Sequence, residues 1–427
     1  MRNVLGLIGL IAVACVTDED IRDERSGSLS SCEDNVCILA GAFTDDLHLT
    51  ADNIYLLRGG VYIGDDVGET TLTIDAGTKI YGESSSDGML VVTRNSKIIA
   101  EGTADAPIVF TSSKEEGSRT RGDWGGIIIN GNAPINSCGD GSFCEAFGEG
   151  ATGYYGGDNP EDNSGTLRYV RVEFAGTLVS PDNELNGIAL QGVGSGTTLD
   201  YIQVHMNADD GVEFFGGNAD IKHLVVSGVG DDSLDWTDGW SGRAQHVVLQ
   251  QHPDAGDNGI EADNNGENNV SVPMSNPTLS NMTIIGSNGP SSDLGILLRE
   301  GTGAYIINTV VYGWNEASLD IDGPTTWDNA NSGLLVMESV CLDSKTNFKE
   351  DPDETRLVSN WFHDGHNNIE GGFAIIDPQN ITEPNFLPEA IIQGAVKIDD
   401  LFFDDVGYVG AMGDTDWSLG WTAYPEH

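Results

Sequence analysis

The sequence predicts an all-β chain, a right-handed, single-stranded parallel β-helix, forming a solenoid that ends in an irregular C-terminal cap. Three observations carry this expectation. A short motif recurs with a period close to one solenoid coil. From about residue 47, short β-rich runs alternate with Gly, Asn and Asp turns. Helical periodicity is nearly absent before residue 345.

The motif is Gly187-Ile-Ala-Leu, Gly211-Val-Glu-Phe, Ser233-Leu-Asp-Trp, Gly259-Ile-Glu-Ala, Gly295-Ile-Leu-Leu and Ser318-Leu-Asp-Ile, with starts 24, 22, 26, 36 and 23 residues apart. Each unit holds a second strand, as in Thr198-Leu-Asp-Tyr-Ile-Gln-Val and Ile221-Lys-His-Leu-Val-Val. Thr166-Leu-Arg-Tyr-Val-Arg-Val is an earlier copy. Such a period accommodates three short strands and three turns. Each strand then pairs with its equivalent one coil on, ~4.8 Å away. Leucine-rich repeats share the period, but their Leu-rich consensus is missing here. With 56 Gly and 39% apolar residues, the composition suits many turns around a slim core, not a disordered chain.

Taken in order, residues 1–15 read as an export signal. Arg2 supplies the positive start, and the apolar run from Val4 to Ala14 is too short to span a membrane. Ile11-Ala12-Val13-Ala14-Cys15 resembles a bacterial lipobox, in which Cys15 would be acylated. Residues 16–44 form an acidic tether and N-terminal cap, and residues 45–344 the β-helix. Two stretches, 131–164 and 264–277, read as excursions from the coils. Residues 345–427 form the cap that a solenoid needs at its open end. Five of the six cysteines follow the signal. Export permits disulfides, so Cys32–Cys37 and Cys138–Cys144 are expected as local staples, and Cys341 as a buried thiol.

Against 68 acidic residues stand 19 Lys and Arg, a net charge of −49. That excludes a nucleic-acid partner and an anionic membrane surface. It favours divalent cations, basic ligands or a salty habitat.

Several phrases together point to a family. They include Gly122-Asp-Trp-Gly-Gly-Ile-Ile-Ile-Asn-Gly-Asn, Asp209-Asp-Gly-Val-Glu-Phe-Phe-Gly-Gly, Asp231-Asp-Ser-Leu-Asp-Trp-Thr-Asp-Gly-Trp and Asp416-Trp-Ser-Leu-Gly-Trp-Thr. Over residues 45–424 the chain resembles the secreted or surface β-helix lipoproteins of marine Gram-negative bacteria and Bacteroidota. The resemblance implies the fold and an envelope address, an outer-membrane lipoprotein exposed at the surface or secreted. It lends no catalytic residues.

Strand alternation sets Val212, Leu234 and Ile260 inward and Glu213, Asp235 and Glu261 outward from adjacent coils. Asp209, Asp210, Asp231, Asp232 and Asp257 precede those strands. Carboxylates at coil spacing repel unless a cation, a proton or a base intervenes. An oxygen-only set suits Ca²⁺, with Glu213, Asp232, Asp235, Asp257 and Glu261 as ligands. The competing reading is that these acids cap their own turns. On the second strand, Tyr169, Tyr201, His223, His246 and Asn281 stack, either to line a sugar groove or to pack on one another. Trp236, Trp240, Trp314 and Trp327 are core residues or sugar-stacking faces.

The ligand-binding residues expected are therefore Asp209, Glu213, Asp235, Trp236, Trp240, His223, His246 and Glu261. Asn207-Ala-Asp209-Asp210 and Gly230-Asp231-Asp232 resemble the first two elements of polygalacturonase-like hydrolases. His252 and Arg299 depart from the later two. If the chain is an enzyme, Asp232 is the acid and Asp210 and Asp231 the base of an inverting hydrolase. A lyase would need Arg299 or Arg243 as base. The leading expectation is a surface-anchored module that binds a glycan or an envelope protein with Ca²⁺. A polysaccharide-cleaving enzyme and a structural envelope protein are the alternatives.

Overall fold

The protein was analysed as a computed structural model that describes residues 27–29, 32–138, 143–180, 183–351 and 356–427. The signal, Cys15 and the start of the tether lie outside the described residues. One 26-stranded sheet winds through the molecule. Its pairings are parallel, apart from the first strand, Ser28–Leu29, which runs antiparallel to Val36–Phe43. The fold is thus the all-β parallel solenoid that the repeat predicts.

Each repeating coil supplies a short front strand and a longer bent strand. Ile188–Gln191, Val212–Phe215, Leu234–Thr237, Ile260–Ala262, Leu294–Leu298 and Ala317–Ile321 are front strands. Val212 pairs with Leu234, Leu234 with Ile260, and Ile260 with Ile296. All four side chains are fully buried, as alternation requires. The interior is narrow where the front strand meets the bent one. A Cβ on Gly211 would lie 2.4 Å from Val226 Cγ1, so this position admits only the smallest residues. One cluster of buried apolar side chains runs from Cys37 in the first coil to Phe362 behind the last.

The bent strands include Gly165–Glu173, Thr198–His205, Asp220–Ser227, Arg243–Gln250 and Thr278–Ile285. At each bend one residue takes a left-handed conformation. These are Tyr169, Tyr201, His223, His246 and Asn281, with φ between 49° and 60°. A non-Gly residue there costs on the order of 1 kcal/mol. Stacking between coils offsets that cost. Tyr169 and Tyr201 lie 4.3 Å apart, Tyr201 and His223 4.1 Å, and His223 and His246 5.0 Å.

Both expected disulfides are present, Cys32–Cys37 and Cys138–Cys144, and Cys341 is free and buried. The two excursions meet each other. Asn136 Nδ2 donates to Asn264 Oδ1 at 2.8 Å, and Asn265 Nδ2 to Asn136 Oδ1 at 3.0 Å. A short α-helix, Pro324–Ser332, and a single 3-10 turn, Glu149–Ala151, interrupt the region read as nearly free of helix; the α-helix is the longer. Its signals are local, a Pro at its start and Gly333 in a left-handed conformation at its end.

Residues 345–427, expected as one cap, divide in two. Helix Val358–Asp364 covers the open end, burying Val358 and Phe362 against the core. The remainder turns back and runs along the bends as a strap. It accepts from Asn308 at Val396, from Asn281 at Tyr408 and from Gln203 at Ala423, at 2.8–2.9 Å. The carbonyl of His427 accepts from Gly117 N–H at 3.1 Å. No helix of the described residues is long and apolar enough to cross a membrane.

Candidate functional site: an acidic ladder on the front strands

Registry brings the expected acids together. Glu213 pairs with Asp235, and Asp235 with Glu261. Two triads, Asp210–Glu213–Asp235 and Asp232–Asp235–Glu261, offer oxygens within 4.8 Å of one another. Two more form the rim: Asp209–Asp210–Asp231 and Asp231–Asp232–Asp257. Asp231 is exposed, Asp209 and Asp257 are half-buried, and Asp210, Glu213 and Asp232 are buried.

Two of the acids also hold backbone, though that of the next coil rather than of their own turns. Asp210 Oδ1 accepts the Asp232 N–H at 3.0 Å, and Asp232 Oδ1 accepts the Asn258 N–H at 2.7 Å. Those bonds occupy one oxygen of each acid. Asn186 Nδ2 donates to Glu213 Oε2 at 2.5 Å. Oδ1 of Asp235, shared by both inner triads, is buried without a hydrogen-bond partner. Arg299 sits at the far end, 2.5 Å from Glu261 Oε2 and 2.9 Å from Asp263 Oδ1.

Burial pushes the carboxyls of Asp210, Glu213, Asp232 and Asp235 well above the usual range, and neighbouring carboxylates push them further. Burial likewise raises Glu261 to about 7, against the pull of Arg299, and Asp257 to about 6. Two carboxylates ~5 Å apart repel by roughly 3 kcal/mol at an effective dielectric near 20. Full ionisation therefore needs a compensating cation. Protonation or a bound divalent ion each relieve the ladder.

Other expected site residues stand elsewhere. Trp236 and Trp240 are fully buried, which overturns their reading as sugar-stacking faces. With Leu234 inward and Asp235 outward, Trp236 must point inward again. Its Nε1 donates to Thr302 Oγ1 at 3.1 Å, and Trp240 stacks on Phe214 at 4.0 Å. Trp314 and Trp327 are buried too. His223 and His246 belong to the packed stack on the bends, away from the ladder and beside Asp200 and Asp404, which corrects their reading as ligand contacts. The strap covers them: Trp417 meets His223 edge-on, and His246 is bonded to the Ala411 carbonyl.

The catalytic reading fares no better geometrically. Asp232 is only 4% exposed and holds a backbone N–H, and Asp210 is held likewise. Arg299 is engaged by two carboxylates that outweigh the effect of burial and raise its pKa, so it is a poor base. Arg243 pairs with Asp220 and Asp400 on the bends instead. His252 is buried beside His205, also away from the ladder.

Two ladder residues escape sequence reasoning. Asn186 holds the place of Asp210 one coil earlier, a match visible in Asn186-Gly187 beside Asp210-Gly211. Glu149 comes from the first excursion, outside the repeat, so no register could find it. Burial and the nearby Asp209 raise its pKa to about 7.

Neither a curated protein nor a solved structure matches the chain. The family model described as a pectate-lyase like beta helix domain matches residues 41–374, most of the coils described above. On that match, together with its parallel coils, the chain belongs to the pectate-lyase-like β-helix family.

Proposed function

We propose that the protein is a surface-anchored binding module that takes Ca²⁺ on the acidic ladder and through it holds a carboxylate-bearing glycan. The observation that carries this reading is Asp235, common to two carboxylate triads, with a buried Oδ1 lacking a hydrogen-bond partner. The donor set is oxygen only and sits partly on turns, which suits Ca²⁺ rather than Zn²⁺. The bare ladder repels an acidic glycan, and a bridging cation turns that repulsion into attraction. Asp209, Asp231 and Asp257 at the rim are the groups through which such a cation meets its ligand.

With this goes the expected address, an outer-membrane lipoprotein of the marine Gram-negative and Bacteroidota β-helix group, held by acylated Cys15. Two disulfides support a location outside the cytoplasm. Calorimetry of the purified protein with Ca²⁺ tests the cation site. The wild type should bind, and Asp235→Asn should bind at least tenfold more weakly. Absence of Ca²⁺ binding by the wild type would refute the reading.

A glycan-cleaving enzyme is the second reading. It is favoured by the family match, whose model is described as a pectate-lyase like beta helix domain. Release of reducing ends from polysaccharide, lost in Asp231→Asn, would replace the binding reading with it.

A further inference from the structure

Aromatic exposure is confined to one place. Among the described residues, the aromatic side chains in the exposed class are Phe143, Phe147 and Tyr154, and all belong to the first excursion. Phe147 and Tyr154 face each other across a two-stranded hairpin, Ala146–Phe147 with Tyr154–Tyr155. Their ring centroids lie 5.1 Å apart at 73°, and they are 57% and 48% exposed.

The hairpin is fixed from beneath. Tyr155, on its inner face, meets Phe215 edge-on at 6.2 Å and donates to Asp238 Oδ2 at 3.1 Å. The Cys138–Cys144 disulfide closes its base. Arg94 ties it to the coils, pairing with Asp66 and with Glu145 and donating to the Gly156 carbonyl at 3.3 Å. Its tip carries Glu149, which reaches Asn186 of the acidic ladder at 3.5 Å. A rigid arm therefore holds two half-exposed rings a few residues from the carboxylates, with the Arg94 guanidinium over the Tyr154 ring at 6.0 Å.

We propose that Phe147 and Tyr154 form a stacking subsite for a pyranose ring of a glycan whose charged groups meet the ladder. The inference rests on the reading of the ladder as a glycan site, and adds to it a separate contact. Size favours a sugar over a protein. Three partly exposed rings offer on the order of 300 Å² of apolar face. A protein partner covers ~800 Å² on each side. Aromatic rings take the C–H face of a sugar, while Glu145 and Glu149 beside them accept from hydroxyls.

The test compares the wild type with the double variant Phe147→Ala, Tyr154→Ala in affinity electrophoresis. The probes are alginate and polygalacturonate, with laminarin as the neutral control, each with Ca²⁺ and with chelator. The acidic glycans should retard the wild type, and the variant's affinity should fall at least tenfold. Its Ca²⁺ calorimetry should stay unchanged and its melting temperature nearly so, since both rings are about half exposed and Arg94, which loses its contact with Tyr154, keeps its pairs with Asp66 and Glu145. Equal retardation of variant and wild type would overturn the subsite and leave the cation reading standing. Retardation of the wild type that ignores chelator but is lost in the variant would support the subsite and overturn the cation reading. No retardation of the wild type by any probe would overturn the subsite, with Ca²⁺ calorimetry still deciding on the cation.

Discussion

Asp210 and Asp232 stand one coil apart, and Oδ1 of Asp210 accepts the backbone N–H of Asp232 at 3.0 Å. Asp232 repeats the contact with Asn258 N–H at 2.7 Å. Each acid thus splices one coil to the next while adding charge to a crowded edge. The two roles separate by substitution. Asp232→Asn keeps an acceptor and removes a charge, so in chelator it should melt no lower than the wild type. Asp232→Ala strands a buried N–H and should cost about 1–3 kcal/mol, read from denaturant unfolding. Equal losses in both variants would show that the charge itself stabilises the fold.

Stability should fall as pH rises. The ladder acids have folded pKa values above their unfolded ones, with Asp257 at about 6 and Glu261 at about 7. A raised folded pKa means that the folded state holds protons the unfolded state has released. Its stabilisation is complete below the unfolded pKa, near 4, and is lost as pH rises through the folded value. In chelator the melting temperature should therefore drop by several degrees between pH 4.5 and 7.5. Saturating Ca²⁺ should shrink that drop by mass action. A melting temperature that rises over this window in chelator would contradict the shifts.

Inward positions should carry the fold. Leu234→Ala and Ile260→Ala should each cost about 2–5 kcal/mol, because the neighbouring coils hold the void open. Val212→Ala should cost less. All three side chains are fully buried, so near-zero changes in unfolding free energy would place the strand faces the other way round.

The strap should be as firmly held as the coils. Trp421 is buried and meets Tyr169 and Tyr201 edge-on at 5.9 and 5.8 Å. Trp421→Ala should cost about 3–5 kcal/mol. It should also open residues 411–427 to limited proteolysis before any coil is cut. Unchanged cleavage would mean that the strap is held by its backbone contacts alone.

Acylation is tested by labelling with a fatty-acid analogue in a bacterial host. The wild type should be tagged and Cys15→Ser should not. Equal labelling would remove the lipid anchor from the proposed address.

The parts readable from the sequence are those that recur. The inward series Val212, Leu234, Ile260 and the outward series Glu213, Asp235, Glu261 follow from a single alignment of repeats, because registry in a parallel sheet is copied from coil to coil. The same alternation already implied that Trp236 is interior, two positions after Leu234. Slim coils rarely house an indole, and that is what makes a sugar-stacking face the competing expectation at this position. The stacking of His223 on His246 is legible in the repeat, but its cover is not. Trp417 and Ala411 come from a segment without period, and nothing local says which coil it will meet. Glu149 and the Phe147–Tyr154 pair escaped for the same reason.

The course of the strap has a consequence for how the molecule is made. Coils that touch only their neighbours can form one after another, and their stabilities simply add. The strap breaks that independence. Its carbonyls reach Asn308, Gln203 and Gly117 in coils laid down more than 80 residues earlier. Because it is synthesised after every coil it covers, the stack of Tyr169, Tyr201 and His223 stays bare while the chain emerges. Closure then joins distant coils in one late step of high contact order. A solenoid that could fray from either end instead acquires a lengthwise clasp, and unfolding should become a single concerted event.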